Sequence, residues 1–174
     1  MSIRRKPRCR DEDVGWTDFG QRERFCEARI GERNSFGLVV AQSLAFVATG
    51  NKGDMFHVHD MLTSQDTQTF RDAARRIRCI LHEHAVSTVK RPLALLILLG
   101  GFDGGVQKIA DIDVLGSQTD CDAWAIGSGD VKARELLASC WKPALNRKSG
   151  LRLIKKIYGS LPAETCLLPR PGSK

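Results

Sequence analysis

Residues 92–129 read PLALLILLGGFDGGVQKIADIDVLGSQTDCDAWAIGSG. Residues 93–99 are a continuous apolar run, the pattern of a strand buried on both faces. Gly100-Gly101 and Asp103-Gly104-Gly105 supply the left-handed backbone positions of a hairpin. Val106, Ile109, Ile112 and Val114 fall in the returning arm, which Gly116-Ser117 ends. A polar connection follows. Trp124 to Gly129 then place three small residues ahead of Asp130, the expected N-cap of a helix over residues 131–139. A hairpin followed by a close-packed helix entry predicts helices lying on sheets.

Upstream, residues 36–40 and 44–48 are short apolar runs that predict two strands joined by a tight turn. Gly50 to Gly53 reads as a loop, and Met55, Phe56 and Val58 as a third extended piece. Ser64 or Asp66 is the expected cap of a helix whose apolar stripe is Phe70, Ala73, Ala74, Ile77, Ile80, Leu81 and His84. Downstream, the helix begun near Asp130 breaks at Pro143. A last helix starts at Ser149, carries Leu151, Ile154, Ile157, Tyr158 and Leu161 on one side, and ends at Pro162. Residues 1–33 read as a basic, mixed-charge N-terminal extension, and residues 162–174 as a flexible tail. The order strand–strand–strand, helix, strand–strand, helix–helix fits neither a parallel doubly wound sheet nor an all-β protein. It predicts an α+β fold with antiparallel sheets covered by helices.

With 174 residues, 42% of them apolar and 27% charged, the composition is that of one ordinary globular domain. The run at 93–99 is too short to span a bilayer. The N-terminus has no apolar signal region, so neither secretion nor a membrane is expected. Six cysteines, none in a CxxC pair, exclude a zinc ribbon or thioredoxin motif and read as reduced thiols. The net charge of +7 is uneven: residues 1–33 carry +2, residues 34–141 carry −2, and residues 142–174 carry +7.

The order of elements, together with LLGGFDGGVQKIADIDVLGS and AIGSG, resembles the proteasome subunit family of the N-terminal-nucleophile hydrolase fold. Residues 95–117 look like that family's strand–turn–strand. AIGSGDVKARELLASCWKPALNRKSGLRLIKKI looks like its glycine-serine turn and two helices, with the link echoed by Trp141-Lys142-Pro143 and Arg147-Lys148-Ser149. Residues 67–85 resemble its long first helix. Within the family the β-type subunits are most similar, particularly the inactive kind with a strand ending like Asp113-Val114-Leu115-Gly116. The resemblance covers roughly residues 34–161.

The resemblance implies a four-layer α-β-β-α sandwich and assembly with other α- and β-type proteasome subunits in a hetero-oligomeric ring. The ring belongs to a threonine-type endopeptidase complex for protein degradation in the cytoplasm and nucleus. It calls for no metal and no cofactor. It also implies what has been erased. Active members expose an N-terminal threonine whose α-amine takes the proton, supported by an aspartate and a lysine. This chain has Arg33-Asn34-Ser35-Phe36-Gly37 at that point, Gly50 where the aspartate falls, Lys52 where an arginine falls, and Asp54-Met55-Phe56 where the lysine belongs. The chain also looks shortened between Met61 and Asp66, which would leave the sandwich one early strand short. The expectation is therefore a non-catalytic β-type subunit. Gly100, Gly101, Asp103, Gly104, Asp113, Gly116, Gly127, Ser128 and Gly129 serve in it as fold determinants.

Other readings remain open on the residues themselves. Ser35 is a candidate nucleophile if cleavage after Asn34 frees its α-amine, which would make the chain a self-processing hydrolase. His57 and His59, two apart on a strand, would share a face and could hold a metal, whereas His82 and His84 on a helix diverge. Asp111 and Asp113 share a strand face as paired carboxylates. Gly127 to Asp130 ahead of a helix reads as close packing rather than as a phosphate cradle, since Asp130 puts negative charge there. The basic residues at 1–10 and 142–156 would be the phosphate contacts of an RNA- or ribonucleoprotein-associated module. No aromatic interleaving accompanies them, so nucleic acid is the less expected partner.

Overall fold

A computed structural model describes residues 14–17, 25–28, 35–41, 43–64, 69–127, 129–142, 147–158 and 164–167. Among them the order is β1 (Val14–Thr17), β2 (Phe25–Ala28), β3 (Ser35–Ala41), β4 (Leu44–Gly50), α1 (Lys52–Thr63), α2 (Phe70–Val86) and β5 (Leu95–Asp103). β6 (Val106–Ile112), β7 (Gln118–Cys121), β8 (Ala123–Ile126), α3 (Asp130–Cys140), α4 (Arg147–Tyr158) and β9 (Glu164–Leu167) follow. The strands form two antiparallel sheets, β3-β4-β5-β6-β7 and β8-β1-β2-β9.

β5 lies at the centre of the five-stranded sheet, paired with β4 from Leu44↔Gly101 to Gly50↔Leu95 and with β6 from Ile97↔Ile112 to Asp103↔Val106. Both faces are covered, which is why β4 and β5 are apolar at successive positions. On one face Leu44, Phe46, Ala48, Ile97 and Leu99 pack with Met55, Val58 and Leu62 of α1 and Phe70, Ala73, Ala74, Ile77 and Leu81 of α2. On the other, Ala45, Val47, Leu98, Phe102 and Ile109 meet Ile126 of β8, with Trp124 packed alongside. Beyond β8, Ala125 packs with Ala133 and Leu137 of α3 and Leu153 of α4. The layers are α-β-β-α, the expected sandwich.

Four local expectations need correction. Met55, Phe56 and Val58 lie in α1, not in a strand. The Asn51 side chain accepts from the Gly53 and Asp54 amides at 2.9 and 3.2 Å and starts a helix there, and Met55, Val58 and Leu62 make its buried stripe. The cap of α2 is Thr69, which accepts from the Asp72 amide at 3.1 Å; Ser64 instead closes α1. The polar connection after Gly116 contains β7, an edge strand whose Thr119 and Asp120 face solvent. Asp130 is the first residue of α3. Its cap is Gly129, at φ 89° with no side chain to offer.

In the hairpin, Gly104 and Gly105 take φ 57° and 78°, as a two-residue turn between Asp103 and Val106 requires. Gly100 and Gly101 are instead buried inside β5. A Cβ on Gly101 would stand 2.8 Å from Leu44 Cδ1, so close packing, not the turn, uses that glycine.

The expected early-strand deficit takes a different form. Met61 to Thr63 end α1, and residues 65–68 lie outside the described residues. The second sheet takes its two middle strands, β1 and β2, from the stretch ahead of Ser35. Two strands thus stand within residues 1–33 and one, β9, within 162–174. The rest of both stretches lies outside the described residues.

Candidate functional site

Ser35, the candidate nucleophile, is the first residue of β3, an edge strand, and lies opposite Thr49 of β4. One residue beyond Thr49 the chain turns into α1 through Gly50, at φ 130°. A Cβ on Gly50 would stand 1.9 Å from the Ala94 carbonyl oxygen, and the Asn51 amide bonds to that same oxygen at 2.9 Å. The approach of β4 to the lead into β5 therefore leaves no room for a carboxylate-bearing side chain at this position. Lys52, at the start of α1, places its ammonium 5.9 Å from the centre of the Phe56 ring.

Asp54, where the resemblance places a lysine, is 4% exposed. Its carboxylate accepts from the Arg91 guanidinium through both oxygens, at 2.8 Å on Oδ2, and from the Ala94 amide at 3.0 Å. The Arg91 hydrogen bonds hold the Asp54 carboxyl below its ordinary value, and in return raise the guanidinium. The pair fixes the start of α1 to the lead into β5. Both carboxylate oxygens are engaged, by Arg91 and the Ala94 amide, so Asp54 has structural work and is no free base. Sequence reading missed it because its members are 37 residues apart.

Asp111 and Asp113 do not act as a pair. Asp113 sits in the turn after β6, where Oδ1 accepts from the Leu115 and Ser117 amides at 2.9 and 2.8 Å. Gly116, in the same turn at φ 80°, accepts on its carbonyl from Arg78 Nε at 3.2 Å. Asp111 is part-buried, with Oδ1 enclosed and without a hydrogen-bond partner among the described residues, as is the Trp124 indole nitrogen. Burial raises its carboxyl against the opposing charge of Arg134. Arg134 itself lies 4.2 Å over the Trp124 ring, donates to the Ala125 carbonyl at 2.8 Å and pairs with Asp130 at 2.8 Å. Asp130 is thus neutralised by its own helix. Cys121, across the sheet from Ile109, is pushed up to about 12 by burial and then by the Asp111 charge, so it is no nucleophile.

His57 and His59 lie on α1, not on a strand, and so do not share a face. His57 instead meets His84 of α2 edge-on at 5.6 Å. Among the described residues no group of three or more His, Cys, Asp or Glu is placed to hold a metal, and no helix is long and apolar enough to cross a membrane. Of the glycine and serine positions read as fold determinants, Gly127 and Gly129 take φ 111° and 89° before α3; Ser128 lies outside the described residues. Asp103, at the end of β5, pairs with Arg71 of α2 at 2.9 Å.

Two stacked antiparallel sheets between helix pairs are thus joined to a strand opening at Ser35. Residues 39–164, from within β3 to the start of β9, match the family model described as Proteasome subunit. The chain belongs to the proteasome subunit family. Proteasome subunits assemble into hetero-oligomeric rings, so other proteasome subunits are its partners at that level of description. No curated protein matches the chain.

Proposed function

We propose that this proteasome subunit is of the β type, carries out no chemistry itself, and serves as a structural member of the ring that encloses the proteolytic chamber. The β type rests on the resemblance of Asp113-Val114-Leu115-Gly116 and its hairpin; the observation that supports the absence of chemistry is the placement of β1 and β2. They are the two middle strands of the second sheet, and both precede Ser35. Cleavage after Asn34, which would free the α-amine a Ser35 nucleophile needs, would cut them from the rest of the chain. The crowding at Gly50 and the engagement of Asp54 with Arg91 support the same reading. The first leaves no room for a carboxylate that would tune such a nucleophile, and the second shows an acid already bound to Arg91 where the resemblance places a lysine. The proposed setting is the cytoplasm and nucleus.

The test is the size and mass of the native chain. Incorporation into a particle on the order of hundreds of kilodaltons is expected, with residues 1–34 still attached by intact mass. A lone 19.3 kDa species would remove the structural role. Loss of residues 1–34 would favour the self-processing hydrolase instead. Ser35→Ala should leave both assembly and the peptidase activity of the particle unchanged.

A further inference from the structure

α4 carries a charge arrangement that its own stability does not explain. Gly150, Leu153 and Ile154 are buried and Ile157 half-buried, and Leu153 packs on α3. Lys148, Arg152, Lys155 and Lys156 are exposed. At 100° per residue, Lys148, Arg152 and Lys155 fall within about 60° of one another, opposite the buried face, along a line of about 10 Å.

The helix has no acidic residue, and no ion pair reaches its exposed cations among the described residues. Arg75, Lys132 and Lys142 are likewise exposed with no ion pair among the described residues, but they are single cations on three different segments, whereas α4 aligns three on one face. Lys155 and Lys156 sit in the last turn, where the helix dipole favours cations. Lys156 also donates to Cys140 Sγ at 3.4 Å, tying α4 to the end of α3. Lys148 and Arg152 have no such account. Lys148 is in the first turn, the end where the dipole opposes positive charge.

We propose that this stripe is a docking face for an acidic α-helix of another protein. The residue spacing i, i+4, i+7 is that of one helix face. A partner helix with carboxylates at the same spacing would set each against a cation along the whole line. Single-stranded nucleic acid is the poorer fit, because the described exposed side chains of α4 include no aromatic ring on which successive bases could stack. Placing the partner helix on a neighbouring proteasome subunit rests on the role proposed above; the docking chemistry does not.

The test uses the full chain and three fluorescein-labelled probes, read by anisotropy as salt is raised. One is an alanine-based helical peptide with Glu at i, i+4 and i+7. The second has the same composition with the Glu residues spread around the helix. The third is oligouridylate. The first should bind about ten-fold tighter than the second, weaken with salt, and lose its binding to a K148E/R152E/K155E chain whose thermal melt matches the parent. Equal binding of the two peptides, tighter binding of oligouridylate, or full binding by the charge-reversed chain would overturn the proposal. Such a failure, with the chain still entering a large particle, would leave the proposed role intact.

Discussion

Asp54 is the buried charged side chain among the described residues, and its cost is met by three hydrogen bonds from Arg91 and the Ala94 amide. Its folded value lies below the ordinary 3.8. The unfolded chain therefore takes up the proton more readily. The stability it contributes is present above pH 3.8 and is lost as pH falls through the depressed folded value. Asp54→Asn should cost about 1–3 kcal/mol at pH 7 and flatten the loss of thermal stability in acid, measured as melting temperature between pH 2 and 7. An unchanged acid limb would mean that other carboxylates govern it. Gly50 and Gly104 make a second comparison at this scale. Both have positive φ, but an added Cβ at Gly104 meets nothing within 4 Å, while at Gly50 it meets the Ala94 carbonyl. Gly104→Ala should cost about 1 kcal/mol and Gly50→Ala about 3 kcal/mol or more, read from denaturant melts. Similar costs at the two sites would mean that the backbone relaxes at Gly50.

α1 shows how an element is decided by its start. Met55, Phe56 and Val58 have strand-like composition, yet Asn51 caps the segment into a helix, and the burial of Met55, Val58 and Leu62 against the sheet then holds it. α2 is set by both signals together, a strongly amphipathic stripe and the Thr69 cap. Thr69→Ala should cost about 1 kcal/mol by removing the acceptor for the Asp72 amide. Ile77→Ala, at the buried centre of the same helix, should cost about 3 kcal/mol by leaving a cavity under the sheet. Chemical denaturation of the two variants checks the ranking. A larger loss from the cap would mean that the α2–sheet contact is loosely packed.

At the scale of the molecule, the second sheet joins strands from both ends of the described chain: β1 and β2 from before Ser35, β8 from the middle, β9 from Glu164–Leu167. Deleting residues 1–34 removes its two middle strands and leaves β8 and β9 without their neighbours. The truncated chain should fail to give a cooperative melt by near-ultraviolet circular dichroism and should not enter a large particle. Truncated chain that folds and assembles as the full chain does would return Ser35 to contention as a working N-terminus.

The amino-acid sequence determined the parts whose signal is local and periodic. The apolar run before Gly100, the Asp103-Gly104-Gly105 turn, the α2 stripe from Phe70 to Leu81 and the basic excess of α4 are all legible from neighbouring residues. So was the family, through the joint pattern of the β5–β6 hairpin and the glycine turn before α3. What only the tertiary structure decided depends on residues distant in the chain. β7 is polar because it is an edge, and its strand character comes from pairing with β6. Asp54 becomes enclosed because Arg91 and Ala94 arrive from the other end of α2. Gly50 excludes a carboxylate because β5 enters beside it. β1 and β2 are strands because β8 and β9 lie on either side of them. Periodicity reports which face of an element is buried. Which chain segment buries it is set by pairing and packing across long loops, and those leave no mark in a local window.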